Sequence, residues 1–474
     1  MFRKALLTIL LLSIGWITAA QANRVPESVQ KVIRTHKIPG NAISILVQDV
    51  NSNTPLLRVN ADVPYNPASV IKLVTTFVAL DILGPSYTWL TKLYALGPIK
   101  NGVLHGDLVL KGSGNPYLTI EEFWKMLGRL HKRGIDTIHG DLVIDDSHFI
   151  IADIDPGAFD REPYQPYNVV PNAMLVNFKS VEFRFNPGDE RENIRITMQP
   201  ELPNLKVTNR VRIKKAPCKG SHLNIKMDIP DRITADHVVF SGEFPSACRS
   251  YSLYRSVLQP ESYAFGAFQQ LWGHWGGTIT GGPRKGLSPT KARPLIISHS
   301  PPLAEIIRAT NKWSNNVMSR LLLYTLATAK FNPPVTKEQG IEVIRDYLRE
   351  NNLDDSLLTL DNGSGLSRTT RATADLINSL LRHAYRDPYM PEFIASMPIN
   401  GIDGTMRRRL QTRPEQGRMH LKTGRLDDVA TIAGYVLARS GTTYSVVVLL
   451  NHDDVHKRPG VEIQNAVLQW VHDK

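Results

Sequence analysis

The sequence predicts an α+β protein in which a domain of mixed helix and sheet is interrupted by β-rich insertions. Short alternating apolar runs occur near both ends of the chain, and helical periodicity dominates much of residues 303–386. Residues 87–285 instead carry recurrent short strands and turns. We therefore expect residues 23–86 and 286–474 to form one domain, with residues 87–285 as one or two inserted β-rich domains.

The first 22 residues have the pattern of a secretory signal peptide. Arg3 and Lys4 precede a mostly apolar segment at residues 5–17, and Ala20-Gln21-Ala22 fits a cleavage site. The apolar segment is shorter than the roughly 20 residues that a membrane span needs. We expect an exported chain that begins near Asn23, in the periplasm; a retained anchor helix is the alternative.

After the leader, the chain predicts a helix, a hairpin and a second helix. Helical spacing covers residues 26–36, and two strands at 42–50 and 55–59 are joined by a turn-rich triplet. The following apolar run at residues 70–83 predicts a helix that opens on Ser69.

In the middle, Thr119 and Glu122 form a capping box at the start of a helix that runs to about residue 133. Strands are predicted at residues 90–96, 108–110 and 142–144, and short strands recur over residues 174–241.

Helices return after Pro302, and the chain ends in sheet. One long amphipathic stretch covers residues 303–331. The remaining predicted elements are helices at 337–350, 372–386 and 460–470 and strands at 418–422, 430–438 and 442–450.

The sequence places Ser69 three residues before Lys72 at the mouth of an apolar helix. On a helix these side chains lie on one face, so the amine can reach the hydroxyl and act as its base once its pKa is lowered. The same spacing recurs in 28–31 and 288–291. The first lies on an ordinary surface helix, and Pro289 opposes helical geometry in the second, so Ser69 is the preferred nucleophile.

Two further short motifs follow in order: Ser314-Asn315-Asn316 and Lys422-Thr423-Gly424. Ser-x-x-Lys, Ser-x-Asn and Lys-Thr-Gly in this order are the signature of penicillin-binding proteins and serine β-lactamases. With segments such as residues 361–368 and 401–405, the mature chain resembles the D-alanyl-D-alanine carboxypeptidase and endopeptidase family typified by penicillin-binding protein 4.

This resemblance implies a serine β-lactamase/DD-peptidase-like domain, with an antiparallel sheet flanked by helices and an all-helical part. It implies cleavage of D-Ala-D-Ala, and of D-Ala-diaminopimelate cross-links, through an acyl-enzyme on Ser69. A serine β-lactamase is the alternative. The long interval from Ser69 to Ser314 favours the peptidase, as does the lack of a Glu-x-x-Leu-Asn segment between Ser314 and Lys422.

The resemblance also assigns roles to individual residues. Lys72 is the base, Ser314 relays a proton to the leaving amine, and Lys422 holds Ser314 in place. Asn316 contacts Lys72 or the substrate amide, Thr423 meets the terminal carboxylate beside Gly424, and the amides of Ser69 and Arg425 form the oxyanion hole. Lys422 is a neighbouring cation, and of the residues named here it is the one most able to lower the pKa of Lys72.

Substrate preference is predicted from positions that depart from the family pattern and from three further side chains. Arg425 stands where the family usually has a small residue, and Asp427-Asp428 follows where it often has a neutral polar pair. Arg368 is a candidate for binding a side-chain carboxylate of the substrate, with a surface salt bridge as the alternative. Asp145 and Phe149 from the insertion are further candidates for substrate binding.

Composition limits the partners. The net charge of +12 suits an anionic partner, but we expect no nucleic acid, because the chain is exported and lacks zinc-finger spacing and RNA-binding aromatic signatures. Peptidoglycan peptide stems and β-lactams are the expected ligands, with no cofactor and no metal. An acidic polymer or a membrane surface is a further possible partner, and a non-enzymatic wall-binding role is an alternative function.

Cys218 and Cys248 are candidates for a disulfide, with two buried thiols as the alternative.

Overall fold

A computed structural model describes residues 24–188, 193–218 and 223–474. The predicted signal peptide lies outside these residues. Within the described part, the helices are α1 (Glu27–Thr35), α2 (Lys72–Leu83), α3 (Ile120–His131), α4 (Pro260–His274), α5 (Leu303–Lys312), α6 (Asn316–Ala327), α7 (Lys337–Glu350), α8 (Ala374–Arg386), α9 (Met390–Ser396) and α10 (Pro459–His472). None of these helices has the length and apolar character needed to span a bilayer.

The strands of the described residues, in chain order, are β1 (Ile43–Asp49), β2 (Leu57–Val59), β3 (Leu90–Leu96), β4 (Ile99–Lys100), β5 (Val103–Leu104), β6 (Asp107–Gly112), β7 (Thr137–Ile138), β8 (Leu142–Asp145), β9 (Val181–Pro187), β10 (Ile194–Gln199), β11 (Lys206–Lys214), β12 (Ile225–Asp228), β13 (His237–Pro245), β14 (Tyr251–Arg255), β15 (Thr278–Ile279), β16 (Pro283–Lys285), β17 (Ile296–His299), β18 (Met419–Leu426), β19 (Val429–Leu437) and β20 (Thr443–Asn451).

The first unit contains the described residues up to Tyr87, Pro302–Phe331 and Lys337–Lys474. Its sheet has the order β18-β19-β20-β1-β2, and every pairing is antiparallel. Helix α10 packs against β19 and β20, and α8 packs against β20 and β1. Helices α2, α5, α6, α7 and α9 form the helical part of the unit. The N-terminal turn of α2 contacts β18 and β19, so the start of that helix lies where the helical part meets the sheet.

The second unit contains Thr88–Pro301 and Asn332–Thr336. It holds two larger sheets, β16-β8-β6-β3-β17 and β15-β7-β5-β4, and two three-stranded sheets, β10-β9-β14 and β11-β13-β12. Its core includes Phe183, Phe240, Phe268 and Trp272. A disulfide joins Cys218 to Cys248 in this unit.

The predicted boundary at residue 285 differs from the structure, in which the second unit continues to Pro301. The cause is the antiparallel pairing of β17 with β3, which a local pattern cannot reveal. Residues 332–336 also join this unit, because Val335 exchanges backbone hydrogen bonds with His148 and Ile150.

Helix α4 was not predicted. Six successive residues from Tyr263 to Phe268 are buried, so the helix is apolar on several sides and lacks the one-sided stripe by which a surface helix is recognised. Pro260 in its first turn was the available signal.

Candidate active site

Ser69 lies in a 3-10 turn, Ala68–Ile71, that leads directly into α2. Its Oγ is 2.8 Å from Nζ of Lys72, the first residue of the α-helix. The Lys72 amine also contacts Oδ1 of Asn316 at 2.7 Å and donates a hydrogen bond to the carbonyl oxygen of Ser364. The first two predicted motifs therefore meet at the Lys72 amine.

Two neighbouring segments hold the turn that carries Ser69. Ala68 has a left-handed backbone (φ 43°), and its amide donates to Oδ1 of Asn66 at 2.9 Å. The hydroxyl of Thr431 on β19 donates to the carbonyl of Pro67 at 2.7 Å. A Cβ added at Gly365 would lie 1.9 Å from the Ala68 carbonyl oxygen, so only glycine permits this approach.

Burial is the main cause that lowers the pKa of Lys72 well below the usual value of 10.5. The positive charges of Lys422 and Arg320 lower it further, in that order. The Lys72 side chain is completely buried, so a charged ammonium loses its hydration there. The prediction that Lys422 lowers this pKa agrees in direction, but burial is the larger effect.

Ser314 interrupts the single long helix predicted for residues 303–331. The helix ends at Lys312 and a new one begins at Asn316, because Ser314 adopts a left-handed backbone (φ 55°). Oδ1 of Asn315 caps the second helix by accepting from the Met318 amide at 3.0 Å. The Ser314 hydroxyl accepts a hydrogen bond from Nζ of Lys422 at 2.8 Å.

Lys422 lies within β18, which continues to Leu426, beyond the predicted end at residue 422. Its side chain is fully buried, and this burial lowers its pKa to about 7. A Cβ on Gly424 would lie 2.9 Å from the Ser69 amide nitrogen and 2.2 Å from Oγ1 of Thr431. Gly424 therefore allows β18 to pass directly beside the turn that carries Ser69. This proximity fits the predicted oxyanion hole of the Ser69 and Arg425 amides, which stays a prediction.

The residues predicted for substrate binding have different surroundings. Thr423 is half-buried, and its Oγ1 is 2.7 Å from Oγ1 of Thr405. Arg425 is exposed. A guanidinium nitrogen of Arg368 is 3.6 Å from a carboxylate oxygen of Asp427, with half of the Arg368 side chain exposed, so the surface salt bridge named as its alternative is present. Exposed pairs of this kind contribute little to stability and leave the arginine accessible.

Asp145 and Phe149 belong to the second unit. Burial alone would raise the pKa of the Asp145 carboxyl, but hydrogen bonds from Ser147 and Ser288 outweigh it and lower the pKa to about 2. Nζ of Lys111 lies 3.3 Å from the same carboxylate and donates to the Ser288 hydroxyl at 3.0 Å. The Asp145 carboxylate thus bonds to residues of its own unit. The substrate-binding roles of Asp145 and Phe149 stay predictions.

Phe149 is buried, and its ring lies where a side chain at Gly114 would be.

One group of ligand-type side chains lies where the β18–β19 turn meets the loop that follows β20. Asp428, Asp454 and His456 place donor atoms within 4.8 Å of one another. Nδ1 of His456 already accepts the Asp428 amide at 2.8 Å, and both carboxylates are exposed. This arrangement fits a hydrogen-bonded loop.

Sequence reasoning missed the Ser364 carbonyl, Arg320 and Thr405 as neighbours of the site. Ser364 and Thr405 lie in segments already noted for their family resemblance, at residues 361–368 and 401–405, which was the available signal. Arg320 carried none, because it falls in an ordinary helical pattern.

The sequence model of the D-Ala-D-Ala carboxypeptidase 3 (S13) family matches residues 25–474. The chain belongs to this family. The predicted identity as a serine-type D-Ala-D-Ala carboxypeptidase is therefore confirmed.

Individual relatives agree with the S13 assignment. A D-alanyl-D-alanine carboxypeptidase of Actinomadura sp. (strain R39) is 26% identical over 95% of this chain and 85% of its own length. The crystal structure of penicillin binding protein 4 from Haemophilus influenzae matches with a TM-score of 0.79 and 23% identity, covering 94% of this chain and 99% of that one. A predatory peptidoglycan endopeptidase from Bdellovibrio bacteriovorus matches with a TM-score of 0.53 and 17% identity, over 90% and 92% of the two chains. The predicted fold class is confirmed.

Proposed function

We propose that this S13 chain is an exported, periplasmic serine D,D-peptidase that acts on the peptide stems of peptidoglycan. The observation that carries the proposal is the contact network of Ser69, Lys72 and Asn316 beside the Ser314–Lys422 pair. Ser69 is half-buried whereas both lysines are fully buried, so the hydroxyl is accessible to a substrate while the amine beside it is shielded from water.

In the acylation step, the neutral Lys72 amine takes the Ser69 proton as Oγ attacks the carbonyl of the penultimate D-Ala. The tetrahedral oxyanion is held by the Ser69 and Arg425 amides; losing one such donor generally costs about 3 to 4 kcal/mol of transition-state stabilisation. The Ser314 hydroxyl, held by Lys422, relays this proton: it gives its own hydrogen to the leaving amine and takes up the one that Lys72 accepted, so Lys72 is neutral again. The peptide bond breaks, the terminal D-Ala leaves, and the acyl group stays on Ser69.

In the deacylation step, water attacks the ester carbonyl, and the neutral Lys72 amine takes its proton and gives one to Oγ of Ser69. Ser69 then leaves as a hydroxyl and the shortened stem is released. The same chemistry applies to a D-Ala-diaminopimelate cross-link, which has the same acyl donor. A β-lactam presents a strained amide to Ser69, and its ring opens without releasing a leaving group. The Haemophilus penicillin binding protein 4 structure with a bound β-lactam, with a TM-score of 0.74, supports this proposal.

The test compares the wild type with Ser69→Ala. We expect a fluorescent penicillin to label the wild type covalently and to leave Ser69→Ala unlabelled, with circular dichroism confirming that both are folded. The wild type should release D-Ala from a pentapeptide, and mass analysis of a digested wall should show whether cross-links are cleaved. Equal labelling of both proteins would contradict the mechanism.

The same experiment separates the alternatives. Rapid hydrolysis of penicillin without action on pentapeptide would favour a β-lactamase. Wall binding without labelling or hydrolysis would favour a non-enzymatic role.

A further inference from the structure

The segment before Thr405 covers half of the open edge of β18. This strand is at the end of the sheet, so one side of its backbone has no strand neighbour. The Leu421 amide donates to the Pro398 carbonyl at 2.8 Å, and the Met419 amide donates to Oδ1 of Asn400 at 3.0 Å. The first half of β18 is therefore paired with residues 398–400, and this cover stops before Thr423.

A buried ion pair fixes the next part of this segment to the helix that precedes Ser314. Nζ of Lys312 is 2.6 Å from Oδ2 of Asp403, and the Lys312 side chain is only 6% exposed. Oδ1 of Asp403 accepts the Ile399 amide at 2.8 Å. Gly404 has φ +53°, and a Cβ there would lie 2.5 Å from the Lys312 carbonyl oxygen. Lys312, at the end of α5, therefore sets the position of the residue after Gly404.

That residue is Thr405, and its hydroxyl oxygen is 2.7 Å from the Thr423 hydroxyl oxygen. A threonine hydroxyl has one hydrogen to donate and two lone pairs to accept with. If Thr405 donates to Thr423, the Thr423 hydrogen stays available to a ligand. If Thr423 donates to Thr405, only its lone pairs face the ligand, and they repel an anion.

The charges beside Thr423 favour an anionic ligand. Lys422 precedes it, and Arg425 lies two residues later on the same side of the strand. Within the described residues, no carboxylate lies within 4.0 Å of the Arg425 guanidinium, whereas Arg368 is paired with Asp427. An incoming carboxylate therefore selects the arrangement in which Thr405 donates.

We propose that Thr405 is a positioning residue for substrate recognition: it donates its hydrogen to Thr423 and so aims the Thr423 hydroxyl at the free α-carboxylate of the terminal residue. Lys312 and Asp403 hold Thr405 at the required distance. This inference rests on the proposed D,D-peptidase function and adds Thr405 to the residues expected to set its specificity.

The test uses Thr405→Val, which keeps the shape but lacks the hydroxyl, and Thr405→Ser, which keeps the hydroxyl. Each is measured on a peptide ending in D-Ala-D-Ala and on the same peptide with a C-terminal carboxamide. Thr405→Val should lower kcat/KM for the free acid about ten- to hundredfold, the range for one hydrogen bond to a charged group. The loss should be much smaller for the amide, and Thr405→Ser should stay near the wild type.

A double-mutant cycle with Thr423→Val separates positioning from packing. Adding Thr405→Val to Thr423→Val should change kcat/KM little, because the hydroxyl to be aimed is already absent. Equal losses for acid and amide, or the full loss again in the Thr423→Val background, would overturn the inference while leaving the peptidase intact. A wild type that neither hydrolyses the peptide nor binds penicillin would instead remove the proposed function and the inference with it.

Discussion

Arg320 provides the most direct test of how the site lowers the pKa of its base. It lies one helical turn after Asn316 on α6, and Oδ1 of Asn316 contacts the Lys72 amine at 2.7 Å. After burial and Lys422, the charge of Arg320 is the third cause that lowers the pKa of Lys72. Replacing Arg320 by Gln removes a cation without touching Ser69, so the pKa of Lys72 should rise.

The size of this rise depends on the distance between the Lys72 ammonium and the Arg320 guanidinium. Asn316 contacts Lys72, and Arg320 is one helical turn, about 5.4 Å, further along α6; with extended side chains we take the two charged groups to be roughly 8 Å apart. At an effective dielectric constant of about 20, two unit charges at this distance interact by about 2 kcal/mol. Since one pKa unit corresponds to about 1.4 kcal/mol, and solvent screening reduces the interaction, we expect a rise of about one unit.

The sign of the kinetic effect depends on pH. The proposed mechanism needs neutral Lys72, so a higher pKa reduces the reactive fraction at pH values below it and leaves the reactive fraction well above it unchanged. The acylation rate constant for a fluorescent penicillin is measured from pH 5 to 9. The acid limb of Arg320→Gln should lie about one pH unit higher in pH than that of the wild type. On that limb, the rate of Arg320→Gln should be about tenfold lower.

Arg320→Lys is the matched control, because it keeps the charge and should keep the acid limb near that of the wild type. Superimposable acid limbs for Arg320→Gln and the wild type would refute the electrostatic argument. A uniform fall at every pH would refute it as well, since that pattern reports a disturbed site geometry rather than a changed pKa.

Three further substitutions test the supports of the site. Asp403→Asn should lower the free energy of unfolding by about 2 to 3 kcal/mol, because it leaves the Lys312 ammonium buried without its counter-ion. Lys312→Met should cost less, because the 32% exposed Asp403 carboxylate can be hydrated and keeps its bond from the Ile399 amide; calorimetry that ranks the two variants in the opposite order would contradict this. Gly365→Ala should slow penicillin acylation about a hundredfold, because its Cβ displaces the Ala68 carbonyl beside the nucleophile; labelling at the wild-type rate would show that the turn can adjust.

Local signals were sufficient to predict many elements of the fold. The helix predicted at residues 337–350 is α7 with the same bounds, and the predicted capping of α3 is present, since the Thr119 hydroxyl accepts from the Glu122 amide. The strands of the closing sheet were found within a few residues because buried apolar runs and turns are properties of short segments. The order of the three motifs on these elements was enough to predict the family.

Features that depend on distant residues could not be predicted in the same way. No glycine or proline marks the break at Ser314, and a left-handed backbone is unfavourable for a serine in isolation. The conformation is supported by Lys422, which is 108 residues away in sequence and bonds the Ser314 hydroxyl. The boundary at Pro301 has the same origin, because β17 belongs to the second unit only through its pairing with β3.

The sequence around Lys72 carries a second signal for its lowered pKa, besides the presence of Lys422. Nine residues of α2, from Lys72 to Leu80, are all buried, and an apolar run with no polar face already indicates such a helix. A lysine at its first position must enter the core, so burial rather than Lys422 becomes the main cause of the lowered pKa.

The two lysines differ both in what lowers their pKa and in what their amines contact. Burial, Lys422 and Arg320 all lower the pKa of Lys72, whereas burial alone lowers that of Lys422, to about 7. The Lys72 amine contacts the Ser69 hydroxyl at 2.8 Å, whereas the Lys422 amine donates to the Ser314 hydroxyl at 2.8 Å. In the proposed mechanism, Lys72 therefore accepts the proton of Ser69, and Lys422, which carries a proton part of the time near neutral pH, holds Ser314 as a hydrogen-bond donor.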